Sequence, residues 1–438
     1  MQVDKITQLD LSLFSTDENL SIFHLLNYTT TSRGKDYLHY ILNNPLSTLA
    51  EIEDAQNTIQ QLQLLLPQWK HTINNGTLMV IEKFYETPLA IHSNEPTNIN
   101  TFFYKLLNKE DFSLTKYSVE HCIYFIKGIK IIQQLLTNAH VKKMDYWKEK
   151  INLLLNKSII EEILQTDNPK ALADKSILKF ARFLRTDFKH NINQLLHVFE
   201  QIDAYISLAI ACTEHKFIFP KIQNSSQPFI DAEELYHPLL QQAVSYSFTL
   251  DEKQNFLFLT GANMAGKSTF IKAVGVSVYL AQLGMGVPAK NMKISLFDGL
   301  LSNIQVTDNI MKGESYFFNE VQRIKNTIEK ISNGKNWLIL IDELFKGTNV
   351  QDAMKCSTIV IEGLHKMQNA LFILSTHLYE IADDLKKHAN IQFKYFETSI
   401  SNEKLIFNYH LKNGVSNDRV GYLILKREGV IDMLEKLK

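Results

Sequence analysis

The sequence predicts an α + α/β protein in two parts: an all-helical N-terminal part over residues 1–228, then an α/β domain over 229–438. Three observations lead there. Residues 100–215 carry apolar residues at helical spacing with few breakers. From about residue 229, short apolar runs alternate with helical stretches, the pattern of a largely parallel sheet. One of those runs feeds directly into a glycine-rich loop.

Along the N-terminal part, a helix is expected from about Gly34 to Leu42, where Asn43-Asn44-Pro45-Leu46 stops it, since proline cannot continue a helix. A second helix, around Leu49–Leu66, places Ile52, Ala55, Ile59 and Leu62 on one face. Further on, Ile192, Leu195, Leu196, Phe199, Ile202, Ile206, Ala209 and Ile210 form one stripe. Such a segment suits a mechanical arm or packing scaffold better than a catalytic site. Lys142-Lys143, Lys189 and His190 either touch a phosphate backbone or form solvated helix faces. Phe219-Pro220 and the polar run 223–228 mark a linker.

In the second part, Phe256–Thr260, Trp337–Ile341 and Ala370–Ser375 read as buried strands. Ile391–Thr398 and Lys404–Leu411 read as a pair of edge strands, with a short helical tail from about Asp418.

Composition bounds the function. The chain has 438 residues, 45% hydrophobic and 21% charged, which suggests two or three globular domains. A net charge of −1 excludes a uniformly basic coat, so any nucleic-acid contact must come from a local patch. Cys122, Cys212 and Cys356 have no metal-like spacing and read as reduced thiols in a cytoplasmic protein. Neither a secretory signal nor a run of about eighteen apolar residues is expected.

The chemistry concentrates in Gly261-Ala262-Asn263-Met264-Ala265-Gly266-Lys267-Ser268-Thr269. With a strand before it and Phe270–Val274 continuing in helical spacing, every fixed position of G-x-x-x-x-G-K-[ST] is filled. Glycines let successive N–H groups turn inward onto a phosphate, and the new helix adds its positive end. Lys267 would reach the β- and γ-phosphates of a nucleoside triphosphate, and the Ser268 hydroxyl would join a Mg²⁺ shell.

Some 75 residues later the strand ending at Ile341 runs into Asp342-Glu343. Asp342 would hold the metal and Glu343 would orient or deprotonate the attacking water. A further strand ends in Ser375-Thr376-His377, which makes His377 either a γ-phosphate sensor or a structural residue. Gly313 and Ser315 precede a helix carrying Val321, Ile324 and Ile328, and that helix start is either an anion-binding end or a plain cap. A second copy could bring it to a γ-phosphate more easily than the same chain could.

These residues resemble the MutS mismatch-repair ATPases, whose ATPase domain is of the ABC type. The Asn263-Met264 form of the loop, Asp342-Glu343 with Gly347-Thr348, and Ser375-Thr376-His377 are similar to family motifs. So is Gly313-Glu314-Ser315-Tyr316-Phe317, with Ser315 in the position that reaches across a dimer. Leu25-Leu26-Asn27 through Pro45-Leu46 and Glu51–Glu53 resemble the start of the MutS core. Ile202–Ala209 and Phe219-Pro220 resemble its return, and Leu235-Tyr236-His237-Pro238 the approach to the ATPase domain.

The resemblance implies a helical core/lever domain joined to a P-loop ATPase domain that uses ATP and Mg²⁺. It also implies a homodimer through the ATPase domains, DNA and repair proteins as partners, and a role in mismatch repair or related repair and recombination. Lys267, Ser268, Thr269, Asp342, Glu343 and His377 would act in cis and Ser315 in trans. Asn263, Val244 and His237 would add nucleotide contacts.

The departures are as informative. The reading expects no mismatch-reading domain before the core, a reduced clamp and a short tail, and Phe345-Lys346 stands where the family has a Gly-Arg pair. The rival reading is an ATP-gated protein-interaction module without direct mismatch recognition. A transporter or chromosome-structure nucleotide domain fits less well, for want of an LSGGQ-like segment or a long coiled-coil insertion.

Overall fold

The computed structural model describes residues 1–15, 17, 20–88, 96–138, 141–304, 316–401, 404–416 and 429–435. They form two compact units. One comprises Met1–Leu25, Asn44–Glu53 and Glu214–Lys438; the other comprises Leu26–Asn43 and Asp54–Thr213. The division expected at residue 228 therefore does not follow the unit boundary.

Among its described residues the second unit is helical. Its longest helices are Lys109–Leu135 and Lys189–Glu214, the latter shared at its last residue with the first unit. The stripe read from Ile192 to Ala209 is buried, as are Ile52, Ala55, Ile59 and Leu62 of the helix Leu49–Leu65. No unbroken run of about eighteen apolar residues occurs, but Lys189–Glu214 is long and apolar enough on average to cross a membrane by length and composition alone. However, 78% of its most apolar stretch is buried inside the protein, the situation of a core helix. Asp203 on this helix accepts four hydrogen bonds, from Thr30 N and Oγ1 at 3.1 and 3.0 Å and from Thr31 N and Oγ1 at 3.0 and 2.7 Å. Thr31 Oγ1 in turn accepts from the Gly34 N–H, capping the helix Ser32–Asn43.

The first unit holds both sheets. In chain order its strands are β1 (Gln2–Val3), β2 (Lys221–Gln223), β3 (Ile230–Leu235), β4 (Tyr246–Leu250), β5 (Phe256–Thr260), β6 (Asn291–Ser295), β7 (Gly299–Asn303), β8 (Trp337–Asp342), β9 (Ala370–Ser375), β10 (Ile391–Ser401) and β11 (Lys404–Asn413). Seven of them form one sheet in the order β1-β7-β8-β9-β5-β10-β11, and the rest form β2-β6-β3-β4. The large sheet is parallel except for β11, which runs antiparallel to β10. Only β11 of the expected edge pair is an edge, because β10 also pairs with β5.

Every residue of β5, β8 and β9 is buried, which explains their unbroken apolar sequences. The N-terminus joins this unit through β1 and two side chains. Thr7 Oγ1 accepts from Ser302 N at 2.9 Å, and Asp10 Oδ2 accepts from Ser302 Oγ at 2.5 Å and Ile304 N at 3.0 Å. Of the expected tail, 417–428 lies outside the described residues, and Val430–Glu435 is helical.

Candidate functional site

The site grows from three neighbouring parallel strands, β8, β9 and β5, whose carboxyl ends lie side by side. Asp342 of β8 is in register with Ser375 of β9, which is also in register with Leu259 of β5. Crevices at such strand ends are where α/β sheets place ligands.

From β5 the chain enters the glycine-rich loop. Gly261 and Gly266 take φ of 141° and 108°, in the region that favours glycine, and Met264 follows at 67°. A Cβ on Gly266 would stand 3.3 Å from the Tyr409 ring, so the loop is also tight. The helix Lys267–Gln282 starts at once, and its first hydrogen bond runs from Phe270 N to the Gly266 carbonyl at 2.9 Å. The amides of Lys267, Ser268 and Thr269 thus have no intrahelical partner and face the helix's positive end.

Lys267 is buried, and its ammonium donates to the Gly261 and Ala262 carbonyls at 2.8 and 3.0 Å. Burial lowers it to about 8, opposed by the charges of Glu343 and Asp342. Ser268 Oγ donates to Asp342 Oδ2 at 2.5 Å, and Ser375 Oγ holds the other carboxylate oxygen.

Glu343 turns out of β8 in the left-handed region (φ 65°), as does Phe345 (φ 59°). Its Oε1 lies 2.7 Å from His377 Nε2 and its Oε2 lies 3.3 Å from Lys346 Nζ. Burial raises the Glu343 carboxyl, but the His377 hydrogen bond and charge and the Lys346 charge outweigh it and bring it to about 2.

The loop after Glu343 is clasped from the helix Tyr316–Ile331. The buried carboxylate of Glu320 accepts from Lys346 N at 3.2 Å and Gly347 N at 3.3 Å. Phe345, also buried, packs its ring 5.6 Å from that of Phe317 on the same helix. Burial raises the Glu320 carboxyl, and the loop amides draw it back.

A cleft of about 440 Å³ opens over these groups, bounded by Asn263, Met264, Lys267, Ser268, Thr269 and Glu343. Its far wall is Leu240, Val244, Tyr246 and Tyr409. The sequence reading missed the two tyrosines, which come from β4 and β11 and leave no local signal. Val244 does line the cleft. His237 does not: it is buried, with Nδ1 accepting from Leu239 N at 3.4 Å, and desolvation with nearby Lys272 lowers it to about 4. Gly313 and Ser315 lie outside the described residues.

The oxygen pair Ser268–Asp342 suits a hard divalent cation such as Mg²⁺. Among the described residues no three His, Cys, Asp or Glu side chains form a metal-holding group. Mg²⁺ commonly takes its remaining ligands from water and phosphate rather than from a protein cage.

Fold and site together define an α/β protein in which a glycine-rich loop, a buried lysine and two strand-end acids surround one cleft. A family model described as MutS domain V matches residues 257–433, so this segment of the chain is similar to that family's domain V. A DNA mismatch repair protein MutS of Carboxydothermus hydrogenoformans is 30% identical over 272 residues, 59% of this chain and 31% of that protein. Those of Listeria monocytogenes and Bacillus mycoides are each 27% identical, over 66% of this chain and 33% and 32% of their own lengths. The chain thus spans about a third of the length of the curated relatives it matches.

Proposed function

We propose that this chain binds Mg·ATP in the cleft and hydrolyses it, as an ABC-type P-loop ATPase of the MutS kind. The observation that carries the proposal is the Ser268–Asp342 contact at 2.5 Å beside the buried ammonium of Lys267. Loop and helix amides with Lys267 grip the β- and γ-phosphates. Ser268 and Asp342 would hold Mg²⁺, which neutralises phosphate charge when bound. Asn263 and Val244, with Tyr246 and Tyr409, bound the rest of the nucleotide.

Glu343 is the base. It takes a proton from water as the water oxygen attacks the γ-phosphorus, and the bond to the ADP oxygen breaks. Both carboxylate oxygens of Glu343 are engaged, by His377 and Lys346, so one contact must loosen before a water proton is accepted. Loosening also restores basicity to a carboxylate held at about 2. His377 then turns to the γ-phosphate. Glu320 is a positioning residue, since it fixes the loop amides that set Glu343 and Lys346.

The relatives are named DNA mismatch repair proteins. On that basis we extend to this chain a role in cytoplasmic DNA repair or recombination. It would act as a homodimer whose ATPase domains share Ser315 in trans, with the helical unit as a DNA-facing arm. The net charge of −1 supports the second reading, an ATP-gated protein-interaction module.

Phosphate release and DNA anisotropy test both. Glu343→Gln should retain ATP while losing at least about 100-fold in hydrolysis, the scale for removing a general base. Normal turnover in that variant would remove Glu343 from the chemistry. Duplex and branched DNA should bind with strong salt dependence; no binding at low salt, with or without ATP, leaves the protein-interaction reading.

A further inference from the structure

The helix Asn98–Leu107 is amphipathic in the reverse sense. Ile99, Phe102, Phe103, Leu106 and Leu107 recur at i, i+3, i+4, i+7 and i+8, the stripe that a globular helix turns to its core. Here they are 53–76% exposed. The polar-bearing face is the one that packs: Thr101 and Tyr104 are buried, and Tyr104 clusters with Phe112, Ile177 and Leu178. The exposed rings of Phe102 and Phe103 stand 5.9 Å apart, edge to face at 76°. Lys105, the helix's only charged residue, is drawn off to Asp174 at 2.7 Å, which leaves the stripe uncharged. A local pattern that contradicts its own burial marks an interaction surface.

We propose that this stripe is a nucleotide-independent contact between two copies of the chain. On the scale of about 150–250 Å² for an aromatic side chain, five large side chains exposed by half to three quarters hold roughly 500–600 Å². Paired with themselves they bury about 1,000–1,200 Å², the lower end of a specific interface. A twofold contact repeats the same patch on both sides, and an uncharged stripe meets its copy without repulsion. An antiparallel crossing also sets the two helix dipoles against each other favourably. Beyond the stripe, the next turn carries Lys109, Glu110 and Asp111, so the rim offers both signs to its symmetry mate. The contact is separate from the ATP-dependent pairing proposed above and does not rest on it.

Sedimentation velocity on the full chain tests it, in EDTA without nucleotide, over about 1–100 µM, the range for an interface of this size. The wild type should self-associate with concentration. Phe102→Asp and Leu106→Asp should each weaken association at least about tenfold, a buried carboxylate being costly at an interface. Lys267→Ala should leave it unchanged. Both aspartates sit in water in the monomer, so circular dichroism should show an intact fold. Should one variant misfold, Leu107→Lys, at the most exposed position of the stripe, replaces it. A wild type that stays monomeric throughout overturns the proposal. A dimer that is indifferent to these substitutions overturns it equally.

Discussion

Glu320→Gln separates positioning from binding. The native carboxylate is buried and accepts the amides of Lys346 and Gly347, two exposed loop residues, at 3.2 and 3.3 Å. Glutamine keeps one acceptor oxygen and sets an amide donor against the second N–H. A hydrogen bond to a charged group contributes about 1.5–3 kcal/mol, so the clasp weakens by roughly 2–3 kcal/mol. The loop it releases holds two left-handed non-glycine residues, Glu343 and Phe345, each costing about 1–2 kcal/mol to keep there. If that hold is expressed in the transition state, kcat falls roughly 30- to 150-fold. Lys267, Ser268 and Asp342 sit on other elements, so ATP affinity should stay within about threefold. Single-turnover hydrolysis with a fluorescent-nucleotide titration reads both quantities. Unchanged kcat, or equal losses in kcat and affinity, would refute the positioning role.

Stability should depend on pH through His237. Its folded value of about 4 lies below the ordinary 6.5, so its contribution is complete above 6.5 and is lost as pH falls toward 4. Between pH 7 and pH 5 the first unit should lose about 2 kcal/mol by urea unfolding, and His237→Gln should remove most of that slope. In the helical unit, Asp203→Ala strips the acceptor from the Thr30 and Thr31 groups and should cost about 3–5 kcal/mol in the same assay. A loss under about 1 kcal/mol would show that water replaces the carboxylate there.

What the sequence revealed depended on how local the signal was. The loop 261–269 and the acids 342–343 are contiguous, each attached to a buried strand, so their spacing alone placed them at the same sheet edge. Tyr246 and Tyr409 reach the cleft from strands 163 positions apart, with no periodicity to mark them. Glu320 carries no signal in the sequence, because nothing in the chain nearby shows that two loop amides converge on it. β1 is two residues long, too short for any alternation to appear, and it carries the N-terminus into the sheet unit. The helix Asn98–Leu107 belongs to a stretch read only as packed helix, since periodicity finds a stripe but not which way it faces.

Titration calorimetry of Mg·ATP into wild type and Lys267→Ala, with and without EDTA, addresses the nucleotide site most directly. The account predicts one nucleotide per chain for the wild type, and at least about tenfold weaker binding when the ammonium is removed, as expected for a buried charge–phosphate contact. No binding to the wild type, or equal affinity in Lys267→Ala, would contradict it.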